Sequence, residues 1–197
     1  MKNKGSKPFR PLAEFSKPAK RDSELESLLH SEHIVQIEKM AVGGDGVARI
    51  PFKDKSLVVF VDRVAPGEMI KIKITATERT FLKGSVVEIL KPSEARRKAP
   101  CPYYDECGGC SWQHFSEDVQ VQQKELLLKD LFKKFIPDIP FQLQSTIRSE
   151  KNFNYRNRIQ LKHLNNKLGY FKRGTHEIVD INACLIAEEK ISEQIPI

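Results

Sequence analysis

The chain has 197 residues, 40% of them hydrophobic and 30% charged, the composition of one or two ordinary folded domains and not of a disordered chain. Its longest apolar runs, Leu57 to Val61 and Leu126 to Leu128, fall far short of the roughly 20 residues that cross a bilayer. No apolar stretch of about 7 to 15 residues follows the basic N-terminus, which argues against a secretory signal and makes the cytoplasm the expected compartment, with no membrane as partner. The net charge of +7 divides as +3 over residues 1–30, +2 over 31–92 and +2 over 93–197, so RNA or another polyanion is a plausible partner.

Residues 1–30 read as a basic disordered arm, with several Lys and Arg, three prolines before Arg21 and no apolar period. Residues 31–93 then read as a barrel of five short strands broken by turns. His33 to Met40 runs into Gly43-Gly44-Asp45-Gly46, where glycine permits the positive φ of a tight turn. Val47 to Phe52 follows, and Leu57 to Val61 is apolar enough to be buried on both faces. After a turn at Pro66-Gly67, Ile70, Ile72 and Ile74 alternate with Lys71, Lys73 and Thr75, the period of a strand with one core face and one basic face. Phe81 to Leu90 is the last strand of what is expected to be an OB-like closed sheet.

Residues 94–197 carry a cysteine cluster and then a helix. Ser116 is placed to cap that helix, Glu117 and Asp118 to sit in its first turn and Lys133 and Lys134 in its last, with Pro137 ending it. Leu127, Leu128, Leu131 and Phe135 recur at helical spacing and are expected to pack into the core. From 153 to 181 a three-stranded antiparallel meander is expected. In its first strand Tyr155, Asn157, Ile159 and Leu161 alternate with Arg156, Arg158, Gln160 and Lys162, putting three cations on one face as a candidate phosphate track. Turns at Asn165-Asn166 and Gly174 lead into Leu168 to Lys172 and Glu177 to Ile181. The fold class is thus mainly β with α+β.

Cys101, Cys107 and Cys110 bring three thiolates onto one loop, and Gly108 and Gly109 let the backbone fold tightly around a metal and aim N–H groups at sulfur. His114 would complete a zinc site, whereas Cys184 would complete an all-cysteine site. Spacing alone favours zinc, because structural zinc sites are so often built on CxxC. A free-standing RNA-binding module with structural zinc is therefore one reading. A redox CxxC pair is the bland alternative, but no thioredoxin-like βαβ pattern surrounds it.

The string CPYYDECGGCSWQHF, followed by VQQKELLLKDL, resembles the cluster-binding segment of the RNA uracil-5 methyltransferases. KMAVGGDGVARI, VVFVDRVAPGEMIKIKI and EILKPSEARRKAPC resemble the TRAM domain that precedes it in that family, and NYRNRIQLKH, LGYFKRGTHEIVDI and NAC resemble the family's central domain. The resemblance covers about residues 31–190, with Leu185 standing where the pattern has proline. It implies a four-iron, four-sulfur cluster on Cys101, Cys107, Cys110 and Cys184, with Trp112 and His114 as its neighbours. It also implies RNA contacts from Tyr155, Arg156 and Arg158, by stacking and by guanidinium–phosphate pairing.

Family members methylate C5 of uracil with S-adenosylmethionine in a Rossmann-like domain, and no glycine-rich strand-turn-helix appears here. Gly43 to Gly46 is no substitute, since strands follow it. Four cluster ligands leave no cysteine as nucleophile, so no catalytic residue is expected. The expectation is the front portion of such an enzyme, directed to ribosomal RNA rather than transfer RNA, with S-adenosylmethionine held only by a catalytic domain outside this chain. The chain is then a truncated gene product, a fragment of a longer reading frame, or a half that docks on a separate catalytic chain, and the sequence does not choose among these.

Overall fold

The computed structural model of the protein describes residues 23–195. The expected arm lies mostly outside the described residues, but its end is structured. Helix α1 (Ser23–Glu26) and the turn after it bury Leu25 and set Leu28 against the first core.

The first sheet comprises β1 (Glu32–Gln36), β2 (Lys39–Met40), β3 (Gly46–Phe52), β4 (Lys55–Val61), β5 (Met69–Thr77) and β6 (Phe81–Lys91), in the order β1-β5-β6-β4-β3-β2. Only β4 and β6 run parallel. The expected strand over His33–Met40 is one bent strand in two pieces. Its first piece pairs antiparallel with β5 and its second with β3, so the two edges of the sheet are joined by a single stretch of chain. At the bend the Ile37 N–H donates to Glu68 O at 2.9 Å and the Glu38 N–H to Val47 O at 2.8 Å, so no backbone donor is lost where the strand changes partner. Five expected strands and six observed ones describe the same closed, OB-like sheet.

Inside it, Ile70, Ile72 and Ile74 have no exposed surface, while Lys73 and Thr75 between them face solvent. Full burial of such a side chain stabilises by roughly 1.5–3 kcal/mol. The strand at Leu57–Val61 departs from expectation. Val59 and Val61 enter the core, but Val58 and Phe60 are half-buried on the other face, where Phe60 meets the edge of Phe81 at 5.1 Å between ring centroids.

Helix α2 (Glu117–Phe135) begins as expected, with the Ser116 hydroxyl accepting from the Val119 N–H at 3.4 Å. Its apolar stripe does not form core. No residue of α2 is buried, Phe135 is 69% exposed, and Leu127 and Leu131 are only half-covered, because among the described residues no element packs along that face. The second sheet, β7 (Lys162–Leu164), β8 (Lys167–Phe171) and β9 (Ile178–Asp180), is an antiparallel meander, followed by the short α3 (Glu189–Ser192). Asn165 and Asn166, both at positive φ, make the β7–β8 turn. The expected strand over 155–161 is not one. Asn154 turns left-handed, and the chain beyond it bonds to the 185–188 loop: Asn154 N–H to Leu185 O, Arg156 N–H to Ile186 O, and Glu188 N–H to Arg156 O. Among the described residues no helix is long and apolar enough to cross a membrane.

Candidate functional site

The loop from Cys101 to Cys110 is a run of tight turns closed by the Tyr104 N–H on Cys101 O and the Cys107 N–H on Tyr103 O. It docks on β8 through the Gly108 N–H on Phe171 O at 3.0 Å. A Cβ at Gly108 would stand 2.6 Å from that same carbonyl, so only glycine allows the approach. The fourth cysteine arrives from beyond β9, its N–H donating to Ser192 Oγ at 2.9 Å. Cys101, Cys107, Cys110 and Cys184 all line one small cavity of about 20 Å³, together with Tyr103, Tyr170 and Ile186.

No carboxylate lines this cavity. Burial pushes the Cys101, Cys107 and Cys110 thiols up, and neighbouring thiols add to the rise in each. The Gly109 N–H points at Cys107 Sγ at 3.4 Å. The Tyr170 hydroxyl is buried beside Cys184, and burial together with that neighbour opposes its ionisation. Among the described residues no three His, Cys, Asp or Glu side chains are grouped to hold one metal ion. A single ion needs every donor about 2.0–2.3 Å away, whereas an iron–sulfur cluster spreads its thiolates over separate irons. The donors around this cavity are all thiols, the ligand chemistry of iron–sulfur clusters.

His114 is not part of this site. Its Nε2 lies 3.0 Å from Val64 O and its Nδ1 2.5 Å from the Tyr104 hydroxyl. Burial lowers its pKa to about 4, so the ring is neutral, and its Nε2–H donates to Val64 O. Trp112 likewise faces the barrel, its Nε1–H donating to Gly44 O at 2.9 Å. Gly44 sits at φ +102°, and a Cβ there would meet Ser111 Cβ at 2.8 Å, so the expected barrel turn doubles as the seat of the cysteine loop.

Four arginines that hold these parts together escape sequence reasoning. Arg96 pairs with the fully buried Glu68, whose other oxygen accepts the Ala65 N–H at 2.8 Å. Burial alone would raise that carboxyl, but Arg96 and the backbone N–H groups outweigh it and hold it below the usual range. Arg97 turns the other way and grips Glu117 at the start of α2 with both nitrogens, at 3.0 and 2.7 Å. Arg173 reaches Asp45 at 2.7 Å and Asp62 at 2.9 Å, and Arg63 donates to Cys107 O at 3.2 Å. EARRK is visible as a basic string, but its partners lie 28 and 20 positions away.

Of the expected RNA contacts, Tyr155, Arg156 and Arg158 are exposed, and Tyr155 keeps half its surface. Lys162 is half-buried in β7, so the four residues do not share a strand face. Ile159 and Leu161 do pack inward, against the core that contains Cys184.

The comparisons with known proteins agree with this architecture. The model of the TRAM domain matches residues 31–87. The barrel is a TRAM domain. Over 167 residues, 85% of its length, the chain is 43% identical to an uncharacterized RNA methyltransferase of Bdellovibrio bacteriovorus, of which it spans 42%. Over 94% of its length it is 31% identical to the 23S rRNA (uracil(1939)-C(5))-methyltransferase RlmD of Psychromonas ingrahamii, spanning 41% of that protein. The crystal structure of the Pyrococcus abyssi tRNA (uracil-54, C5)-methyltransferase in complex with S-adenosyl-L-homocysteine shares the fold. It superposes with a TM-score of 0.55 at 24% identity, covering 83% of this chain and 35% of that one. The chain is thus a TRAM-domain relative of RNA methyltransferases and spans about two fifths of the length of those it matches.

Proposed function

We propose that this chain is the RNA-recognition and cluster-bearing portion of an RNA (uracil-5) methyltransferase directed to ribosomal RNA, with Cys101, Cys107, Cys110 and Cys184 as ligands of a four-iron, four-sulfur cluster. The observation that carries this reading is the meeting of all four cysteines at one cavity behind a TRAM barrel. The chain's residues would act by holding and orienting. The barrel and the exposed Tyr155, Arg156 and Arg158 bind RNA, and Gly109 supplies an N–H to a ligand sulfur. A bound cluster would link the 101–110 loop to Cys184 through iron, tying the second region together. Methyl transfer from S-adenosylmethionine is assigned to no residue of this chain and falls to a catalytic domain or partner chain outside it. A zinc site completed by His114 is disfavoured by the two contacts its ring already makes.

Metal and activity analysis test the reading together. Protein purified without oxygen is expected to be brown, with iron and acid-labile sulfide near about four each per chain. It is expected to bind a ribosomal RNA fragment more tightly than transfer RNA and, freed of host enzymes, to transfer no methyl group by itself. A colourless protein carrying one zinc would overturn the cluster. Methylation by the chain alone would overturn the division of labour.

A further inference from the structure

Beside the cysteine cavity lies a second, larger space. It is a cleft of about 930 Å³ between the first turns of α2, the 109–113 loop and the segment 146–156. That segment is pinned on both sides. At one end Thr146 donates its N–H and hydroxyl to Glu125 and Arg148 pairs with Asp118. At the other, the Asn154 and Arg156 N–H groups bond to the 185–186 backbone. The cleft is therefore built into the fold.

Four cations line it, Lys124, Arg148, Lys151 and Arg156, against two acids, Glu117 and Asp118. Both acids are already engaged, by Arg97 and Arg148. Among the described residues Lys124, Lys151 and Arg156 have no carboxylate within ion-pair distance, and all three are exposed. Gathering unpaired like charges around one concavity is unfavourable unless an anion enters it. Tyr155, at 50% exposure, adds a large aromatic surface at the same place.

We infer that this cleft is a subsite for one unstacked nucleotide of single-stranded RNA, its phosphate held by Lys124, Lys151 and Arg156 and its base stacked on Tyr155. The volume lies within the roughly 300–1,000 Å³ of small-molecule clefts, which suits a nucleoside and its phosphate. Aromatic stacking with backbone cations is how single strands are held without base-pair geometry, and a paired helix keeps its bases stacked within itself. The inference rests on the RNA reading and goes beyond it. It adds Lys124 and Lys151, and leaves Arg158 and Lys162 outside the subsite. Gly109, Cys110, Gln113 and Ile186 line both this cleft and the cysteine cavity, so one wall serves two sites.

The test uses the full chain and an oligouridylate dodecamer with one central 2-aminopurine, read by fluorescence and by affinity across a salt series. The parent chain should change the probe's emission on binding. Tyr155→Leu should abolish that change and weaken binding roughly fivefold to a hundredfold. Joint Lys124→Ala and Lys151→Ala should lower the salt slope by about 0.7 for each lost phosphate contact. Lys133→Ala, in the last turn of α2 and outside the cleft, should leave the emission change intact. All four side chains are exposed, and unaltered thermal melts would confirm that the variants fold. Binding with emission and slope unaffected by the cleft variants would overturn the subsite and leave the RNA reading standing. Binding only to structured ribosomal RNA, not to the dodecamer, would also overturn the subsite. Failure to bind either RNA would overturn both.

Discussion

The barrel and the cysteine region sit side by side in one chain but are held in different ways. The barrel encloses eleven buried aliphatic side chains within a sheet whose edges meet, and Glu68 inside it is fully paired. In the cysteine region the core of buried residues is Ile181, Cys184, Ile186, Ala187 and Ile195, one of them a proposed ligand. A helix of 19 residues beside it buries none of them. Apolar burial suffices for the first. In the second the thin core calls for a staple, as in small domains that rely on metal or disulfides, and the four unpaired thiols stand where one would act.

The largest expected effect follows from that contrast. Removing the proposed cluster, or replacing Cys107 and Cys110 together with Ala, should strip amide protection from residues 101–195 while the barrel keeps its own, because metal-binding energy is folding energy. Hydrogen exchange read segment by segment checks this. Uniform loss, or none, would erase the distinction between the regions.

Next comes Glu68→Ala, which leaves Arg96 without its carboxylate and should destabilise the barrel by about 3–5 kcal/mol in urea unfolding. With Glu68 present, its carboxyl lies below the ordinary value of 4.5 in the folded state. The stability it contributes is complete above that pH and is lost as the pH falls further, through the folded value. A Glu68→Gln chain should lack that acid-limb loss.

A smaller effect concerns His114, whose folded pKa of about 4 lies below the ordinary 6.5. The folded state binds fewer protons between those values, so stability is full above pH 6.5 and declines from there toward pH 4. His114→Gln should flatten this window, measured as Tm against pH. The smallest is Phe135→Ser. With 69% of the side chain already exposed, stability should change by no more than about 0.5 kcal/mol. A larger loss would mean that α2 is covered in solution and that the contrast is overstated.

The parts of the fold readable from sequence are those fixed by near neighbours. Ile70, Ile72 and Ile74 announce a half-buried strand by their own period, Ser116 announces a cap three residues ahead of its donor, and Asn165-Asn166 announces a hairpin. The four cysteines are legible as a group, but their meeting depends on where β9 delivers Cys184. Misreadings arose where a local pattern had a competing distant partner. Residues 155–161 alternate like a strand, yet the Arg156 backbone bonds to Ile186 and Glu188. The leucines of α2 have helical spacing, which specifies a face and not what lies against it. Nothing local distinguishes Arg96 from Arg97, although one belongs to the barrel and the other to the helix.

The bent strand that joins the edges of the barrel also sets an order of events. Glu32 pairs with Lys73, roughly forty residues further along, and synthesis at about 5–20 residues per second separates their appearance by about 2–8 seconds. During that interval β3 and β4 can already form their hairpin, since Gly46 to Phe52 pair with the strand immediately after them. Within the barrel, β1 is thus made before the strand it pairs with, and closure waits on a long-range contact of the kind that slows folding.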